Sequence, residues 1–205
     1  MRRGSPPAWR AIALLISLGM AELLTMPAAP AQGKFVVKKL TEKKLAQLPA
    51  GPLYWRVEKF ATIAEAQAAA GPAALAAEAD GKAWLFTLGA KGGSTTGGDK
   101  VAEIGPIPRI TASSYLLRIN SATGDPGAKT PVHSHPGSET FYVLSGGLGE
   151  KTPGGVLQVG AGQAVPGHAL GEPMQAFSRG PGDLNALVMF VVDATRPFSS
   201  PAKFQ

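Results

Sequence analysis

The chain of 205 residues has no cysteine, only three histidines, and a charged fraction of just 17%. The missing cysteine excludes disulfide staples, thiolate zinc sites and thiol nucleophiles. It also makes the protein indifferent to the redox state of its compartment. No basic stripe interleaved with aromatics is present, so the formal charge of +6 does not mark a nucleic-acid surface. The lysines are dispersed, apart from Lys38, Lys39, Lys43 and Lys44, which read as a solvated helix face. There is no Gly-x-Ser-x-Gly elbow for a serine hydrolase. The glycine-rich run at 89–99 (GAKGGSTTGGD) lacks the Gly-Lys-Ser/Thr ending and the βαβ surroundings of a phosphate loop.

What is plentiful is turn chemistry. With 26 glycines, 18 prolines and 44% hydrophobic residues, the chain can make many tight turns and still bury a core. That combination points to an all-β fold.

The start of the chain reads as an address. Arg2, Arg3 and Arg10 precede a short apolar run, Ala11 to Met20, and Ala29 and Ala31 form a small-x-small exit. These are the parts of a secretory signal, with cleavage expected before Gln32 and a periplasmic or secreted destination. The apolar run is shorter than the ~20 residues of a membrane span, so no stable membrane insertion is expected after cleavage. Without residues 1–31 the chain keeps 17 basic and 13 acidic residues, a net charge of +4.

Further on, Lys39–Leu48 is expected to form a short helix and Leu53–Phe60 a strand. Thr62 and Glu65 make a capping box. It opens an alanine-rich helical stretch, Ile63–Ala79, which Pro72 divides. Ala83–Leu88 is an apolar strand. From Thr111 the pattern is strand, turn, strand: Thr111–Ser121, Thr130–His135, Glu139–Ser145, Val156–Val159, Met174–Ser178 and Asn185–Ala194. Short strands at this spacing predict a sandwich or barrel. Asn185–Ala194 is almost continuously apolar, so both its faces are expected to be covered, by the barrel and the N-terminal segment or by a second subunit.

His133 and His135 carry the chemistry. Two apart on a strand, they face the same way, because side chains alternate with period two. Glu139 opens the returning strand just past Pro136-Gly137-Ser138, so it can enter the same space. Two imidazoles and a carboxylate are a common ligand set for a first-row divalent metal, and they leave other positions open. An ion would also compensate a carboxylate buried in an apolar barrel. Phe141 and Val143 share the parity of Glu139 and should line the same interior. On an open strand, the same residues would be two solvated imidazoles with an acidic partner.

Gly127, His133, His135, Glu139 and Gly146 match the first cupin motif, G-x5-H-x-H-x3-E-x6-G, at every spacing. The chain therefore resembles the cupin superfamily between Gly127 and Gly146. The resemblance implies a double-stranded β-helix, or jelly-roll barrel, over 105–195, with one divalent ion (iron, manganese, nickel or zinc) inside. Residues 32–104 would then be an α+β extension and 196–205 a tail, and a homodimer is expected.

The second cupin motif fits poorly. Gly160 and Pro166 keep its first spacing, but its histidine falls on Gly171. In an alternative alignment, Met174 replaces the histidine and Ser178 the asparagine. His168 can fold back as a fourth ligand, or it is an exposed loop histidine. Tyr115 and Arg118 have opposite parity, so only one faces the interior. Tyr115 is then a proton donor to substrate or ordinary core. Such a site suits a metal-dependent enzyme, dioxygenase-like or isomerase-like, acting on a small organic molecule. It also suits a small-ligand-binding or sensing module without turnover.

Overall fold

The computed structural model describes Met1 and residues 33–205; the expected secretory segment at 1–31 otherwise lies outside the described residues. Fourteen strands and one helix are described.

The first strand, β1 (Phe35–Leu45), takes the place of the expected helix at Lys39–Leu48. It pairs antiparallel with β6 (Tyr115–Gly124) from Phe35↔Gly124 to Leu45↔Tyr115, with a bulge between Lys39 and Thr41. The helical propensity of lysine and glutamate is worth only a few tenths of a kcal/mol per residue. No apolar stripe at helical spacing supports it here. In the sheet, Leu40 and Leu45 pack against a buried core.

The strand β2 (Leu53–Phe60) forms as expected. The capping box of Thr62 and Glu65 also forms, with each side chain accepting from the other's backbone N–H. It opens α1 (Ile63–Ala69), which stops short of Pro72. The second half of the alanine-rich stretch is not helical but a strand, β3 (Ala74–Ala79), hairpinned to β4 (Lys82–Gly89). The reason is the two-residue loop Asp80-Gly81, in which both residues have positive φ (52° and 66°). That is the turn whose twist matches paired strands, and Asp-Gly is its sequence mark. Completed by β5 (Asp99–Ile107), these strands make a four-stranded sheet in the order β3-β4-β2-β5.

The barrel follows. Its larger sheet runs β1-β6-β13-β8-β11, with β8 at Gly137–Ser145, β11 at Ala164–Val165 and β13 at Leu184–Asp193. Facing it is a sheet in the order β10-β9-β12, made of β9 (Gly147–Thr152), β10 (Gly155–Gly160) and β12 (Gln175–Arg179). Single bridges, Lys129↔Phe177 and His133↔Met174, extend this second sheet to β7 (His133–Ser134), which pairs with β14 (Ser200–Pro201). This is a double-stranded β-helix.

The central strand β13 is buried on both faces. Leu187, Met189 and Val191 pack with Leu53, Trp55, Phe86 and other residues of the four-stranded sheet. Ala186, Val188, Phe190 and Val192 fill the barrel with Phe141, Val143 and Leu148. So the N-terminal strands of the same chain cover its outer face. They lie in one compact unit with the barrel, and β1 is itself a barrel strand.

The turn that leads to Glu139 leaves no room for a side chain. A Cβ on Gly137 would meet the Val191 carbonyl and the Val192 Cα of β13. Gly137→Ala is therefore expected to destabilise the protein by about 1–3 kcal/mol, the usual cost of overpacking. Urea unfolding of the two proteins side by side measures it, and an unchanged midpoint would contradict the close approach.

Candidate metal centre

The turn from β7 to β8 brings His133, His135 and Glu139 together, although the two strands pair with β14 and β13 and not with each other as a hairpin would. One ligand atom from each lies within 4.8 Å of the others, and this is the one such group of three among the described residues. Glu139 stands opposite Phe190 on β13, facing the interior with Phe141 and Val143. The imidazole rings of His133 and His135 meet edge to face, with centroids 4.9 Å apart. His135 and Glu139 are each only 6% exposed, whereas His133 is half-buried. The sheltered geometry departs from two imidazoles on an open strand.

Hydrogen bonds set the tautomers. The Nδ1 of His133 lies 2.8 Å from the Pro131 carbonyl oxygen, and that of His135 lies 2.6 Å from the Phe198 carbonyl oxygen. A carbonyl only accepts, so each Nδ1 carries the proton and donates it. In the neutral ring this leaves the lone pair on Nε2, which is the arrangement of a metal-ligating histidine held from behind. The His135 Nε2 is 3.5 Å from Glu139 Oε2.

The electrostatics agree with an electron-pair-donating site. Burial holds His135 far below the ordinary histidine value, at about 4, against the opposing pull of the Phe198 carbonyl; the neighbouring His133, Arg118 and His168 add to the lowering. His135 is thus neutral at pH 7 and needs to lose no proton to bind a cation. Burial raises the Glu139 carboxyl well above the carboxylate range, with the charge of Glu150 adding to it. Glu139 Oε2 is buried and has no hydrogen-bond partner. An orphaned carboxylate oxygen beside two imidazole lone pairs fits a divalent cation, so this His-His-Glu group can hold one metal ion.

The C-terminal tail, for which the sequence suggested no role, builds the back of the site. Phe198 supplies the carbonyl for His135, and its ring packs edge-on against His135 and Phe190, with centroids 4.9 Å apart in each pair. The Arg118 guanidinium lies 3.8 Å from the centroid of the Phe198 ring and is paired with Glu42 of β1 at 2.7 Å. Of the two residues on β6, Arg118 is therefore the one on the barrel side. The Tyr115 hydroxyl instead accepts the Ala112 N–H at 3.2 Å, a structural role.

His168 does not join the triad. Its Nε2 is bonded to Glu150 Oε1, and its Nδ1 is 3.8 Å from Glu172 Oε2. Glu150 projects into the barrel from β9, on the parity of core residue Leu148, and is fully buried. A buried carboxylate needs a cationic partner, and His168 serves that need. Met174 stands directly opposite His133, linked to it by reciprocal backbone bonds of 2.7 and 3.0 Å.

Beside the triad opens a cavity of about 390 Å³. Its wall is mainly apolar, including Phe35, Val37, Phe141, Val188 and Phe190.

No family model matches the chain, and no curated protein matches it. Solved structures do. A DMSP lyase from Ruegeria pomeroyi is 23% identical, covering 42% of this chain and 42% of that one, with a TM-score of 0.36. A cupin-like protein from Thermotoga maritima is 18% identical, covering 43% and 65%, with a TM-score of 0.38. A protein with a double-stranded β-helix domain from Klebsiella pneumoniae is 22% identical, covering 42% and 75%, with a TM-score of 0.37. This chain thus spans less than half of the DMSP lyase and just under two thirds of the Thermotoga protein. In the double-stranded β-helix described above, Gly127 to Gly146, the residues of the first cupin motif, run through β7 and β8 to the start of β9. Among the described residues, no helix is long and apolar enough to cross a membrane.

Proposed function

We propose that this protein is an exported, cupin-like metalloprotein that holds one divalent ion, iron, manganese, nickel or zinc, on His133, His135 and Glu139 and acts on a small organic molecule in the barrel. The observation that carries this reading is the pair of Nδ1-to-carbonyl hydrogen bonds. They leave both Nε2 lone pairs free in a group that includes Glu139, whose buried Oε2 has no hydrogen-bond partner. Such an ion, with coordination positions left open, supplies Lewis acidity or dioxygen activation, the chemistry of isomerases and dioxygenases. The rest of the wall binds and orients the substrate and keeps water out.

A second reading, a binding or sensing module without turnover, is favoured by one observation. Apart from the three donors, the residues lining the cavity include no carboxylate, lysine, arginine or tyrosine. No side chain there is suited to move a proton on its own. Export rests on the basic, apolar and small-residue pattern of residues 1–31.

One preparation tests these readings: the exported protein, purified without chelators. About one metal ion per chain is expected by elemental analysis, and an intact mass that starts at Gln32. Oxygen consumption and product analysis over small phenols and keto acids then separate turnover from binding alone. Protein that takes up no first-row metal from any supplied salt would contradict the reading.

A further inference from the structure

We propose that the occupant of the cavity is a small, largely apolar monoanion, bound by its anionic oxygen beside His133, His135 and Glu139, with Asn120 as its second polar contact. This rests on the metal reading above and deepens it.

Charge decides the head group. Two neutral imidazoles and one carboxylate leave a divalent ion with one unit of positive charge uncompensated in a buried site, and that is costly in an apolar interior. A single carboxylate, phenolate or enolate oxygen neutralises it. A second negative charge on the ligand would find no cation, since the lining residues include neither lysine nor arginine. Arg118 is the nearby candidate, but it is paired with Glu42 and stacked on Phe198, and it does not line the cavity.

Size and surface decide the body. An engineered apolar cavity of ~150 Å³ holds benzene, so the volume of about 390 Å³ takes roughly two rings' worth of ligand. Phe35, Ala122, Phe141, Ala176, Val188 and Phe190 give that body an apolar bed.

Asn120 decides the remaining contact. It lies on β6 opposite Val188, which is itself opposite Phe141 on β8, so its side chain is two strands across the sheet from the Glu139 strand. Asn120 lines the same cavity, is 4% exposed, and has a buried Oδ1 without a partner. A carboxamide offers a hydrogen bond without adding charge, which suits a neutral polar group on an otherwise apolar ligand.

The test is calorimetric titration of the zinc-loaded full chain, with metal content measured first. Cinnamate, its neutral amide and oxalate are the probes for charge and shape. Cinnamate is expected to bind about tenfold or more tightly than either of the others. 4-Hydroxycinnamate probes Asn120: Asn120→Leu is expected to weaken it about tenfold, the worth of one hydrogen bond, while cinnamate changes less than about twofold. Val37→Glu, at a cavity position that is 51% exposed, should fold normally and weaken cinnamate at unchanged metal content. Oxalate or the amide binding as tightly as cinnamate in the zinc-loaded protein overturns the inference alone. Equal effects of Asn120→Leu on both cinnamates remove Asn120 from it. A chain that takes up no metal overturns the metal reading, and the inference with it.

Discussion

Glu139→Gln is expected to abolish stoichiometric metal binding, yet leave the metal-free protein at least as stable as the unmodified one. Both effects have the same cause. In the metal-free protein the Glu139 carboxyl is buried, with Oε2 unpartnered, and its pKa is raised by burial and by the charge of Glu150. A folded-state pKa above the ordinary 4.5 means that the stability tied to this group is fully present below that value. It is lost as pH rises through the raised folded value. At neutral pH the metal-free protein therefore carries the penalty of ionising a buried carboxyl, which a neutral amide of the same shape avoids.

Metal reverses the order. An ion present at a hundredfold excess over its dissociation constant stabilises the folded chain by about 2.7 kcal/mol, and the glutamine variant gains none of it. Urea unfolding at pH 5 and pH 7.5, with and without zinc, measures all four terms. The penalty should be larger at the higher pH. A glutamine variant that keeps full metal occupancy, or whose metal-free form is markedly less stable, would sink the assignment of Glu139 as a ligand. Because a proton leaves Glu139 when the cation enters, affinity for the metal should also fall as pH is lowered.

Replacing His168 with alanine should do the opposite: large damage to folding and none to metal content. Glu150 is fully buried, and His168 is bonded to its Oε1. Removing one partner of a buried pair leaves the other uncompensated, at a cost of about 3–5 kcal/mol. Burial alone would lower the His168 pKa, but the hydrogen bond and charge of Glu150, with the charge of Glu172, overcome it and raise the value. A raised histidine contributes its stability in full below the unfolded value of 6.5 and loses it as pH rises through the folded value. The gap between the two proteins is therefore widest at pH 6 and narrows in alkali. His168→Gln, which still donates to Glu150, should recover part of the loss. If either variant folds well but no longer holds its metal, His168 is a fourth ligand after all, and the pairing described here is not its role in the loaded protein.

Much of the site was legible in the chain because its parts are close together. His133 and His135 are two apart, and Glu139 is just past a turn, so strand periodicity and closeness in sequence keep them near one another, although β7 and β8 belong to different sheets and form no hairpin. The capping box at Thr62 and the strand at Leu53–Phe60 are local in the same sense. Where the expectation failed, a local signal had been outweighed. Alanine content in Ile63–Ala79 concealed the Asp80-Gly81 turn that folds β3 against β4. The lysines and glutamate of β1 favoured a helix until pairing with β6 was available to them. His168 shows the other kind of failure, since a loop histidine near a metal motif has no local mark that distinguishes a ligand from the counterion of a buried glutamate.

The order of residues alone determined the β class, the grouping of His133, His135 and Glu139, and the two-sided burial of β13, because these follow from strand periodicity, an almost continuous apolar run and turns a few residues long. Only the folded chain decided that the N-terminal strands cover β13, that the Phe198 carbonyl holds the proton of His135 on Nδ1, that His168 answers Glu150, and that Asn120 faces the same cavity as the triad. Those relations join residues 13 to more than 100 positions apart in sequence. They are set by which sheets stack and which strands align, and no pattern within a single segment encodes that.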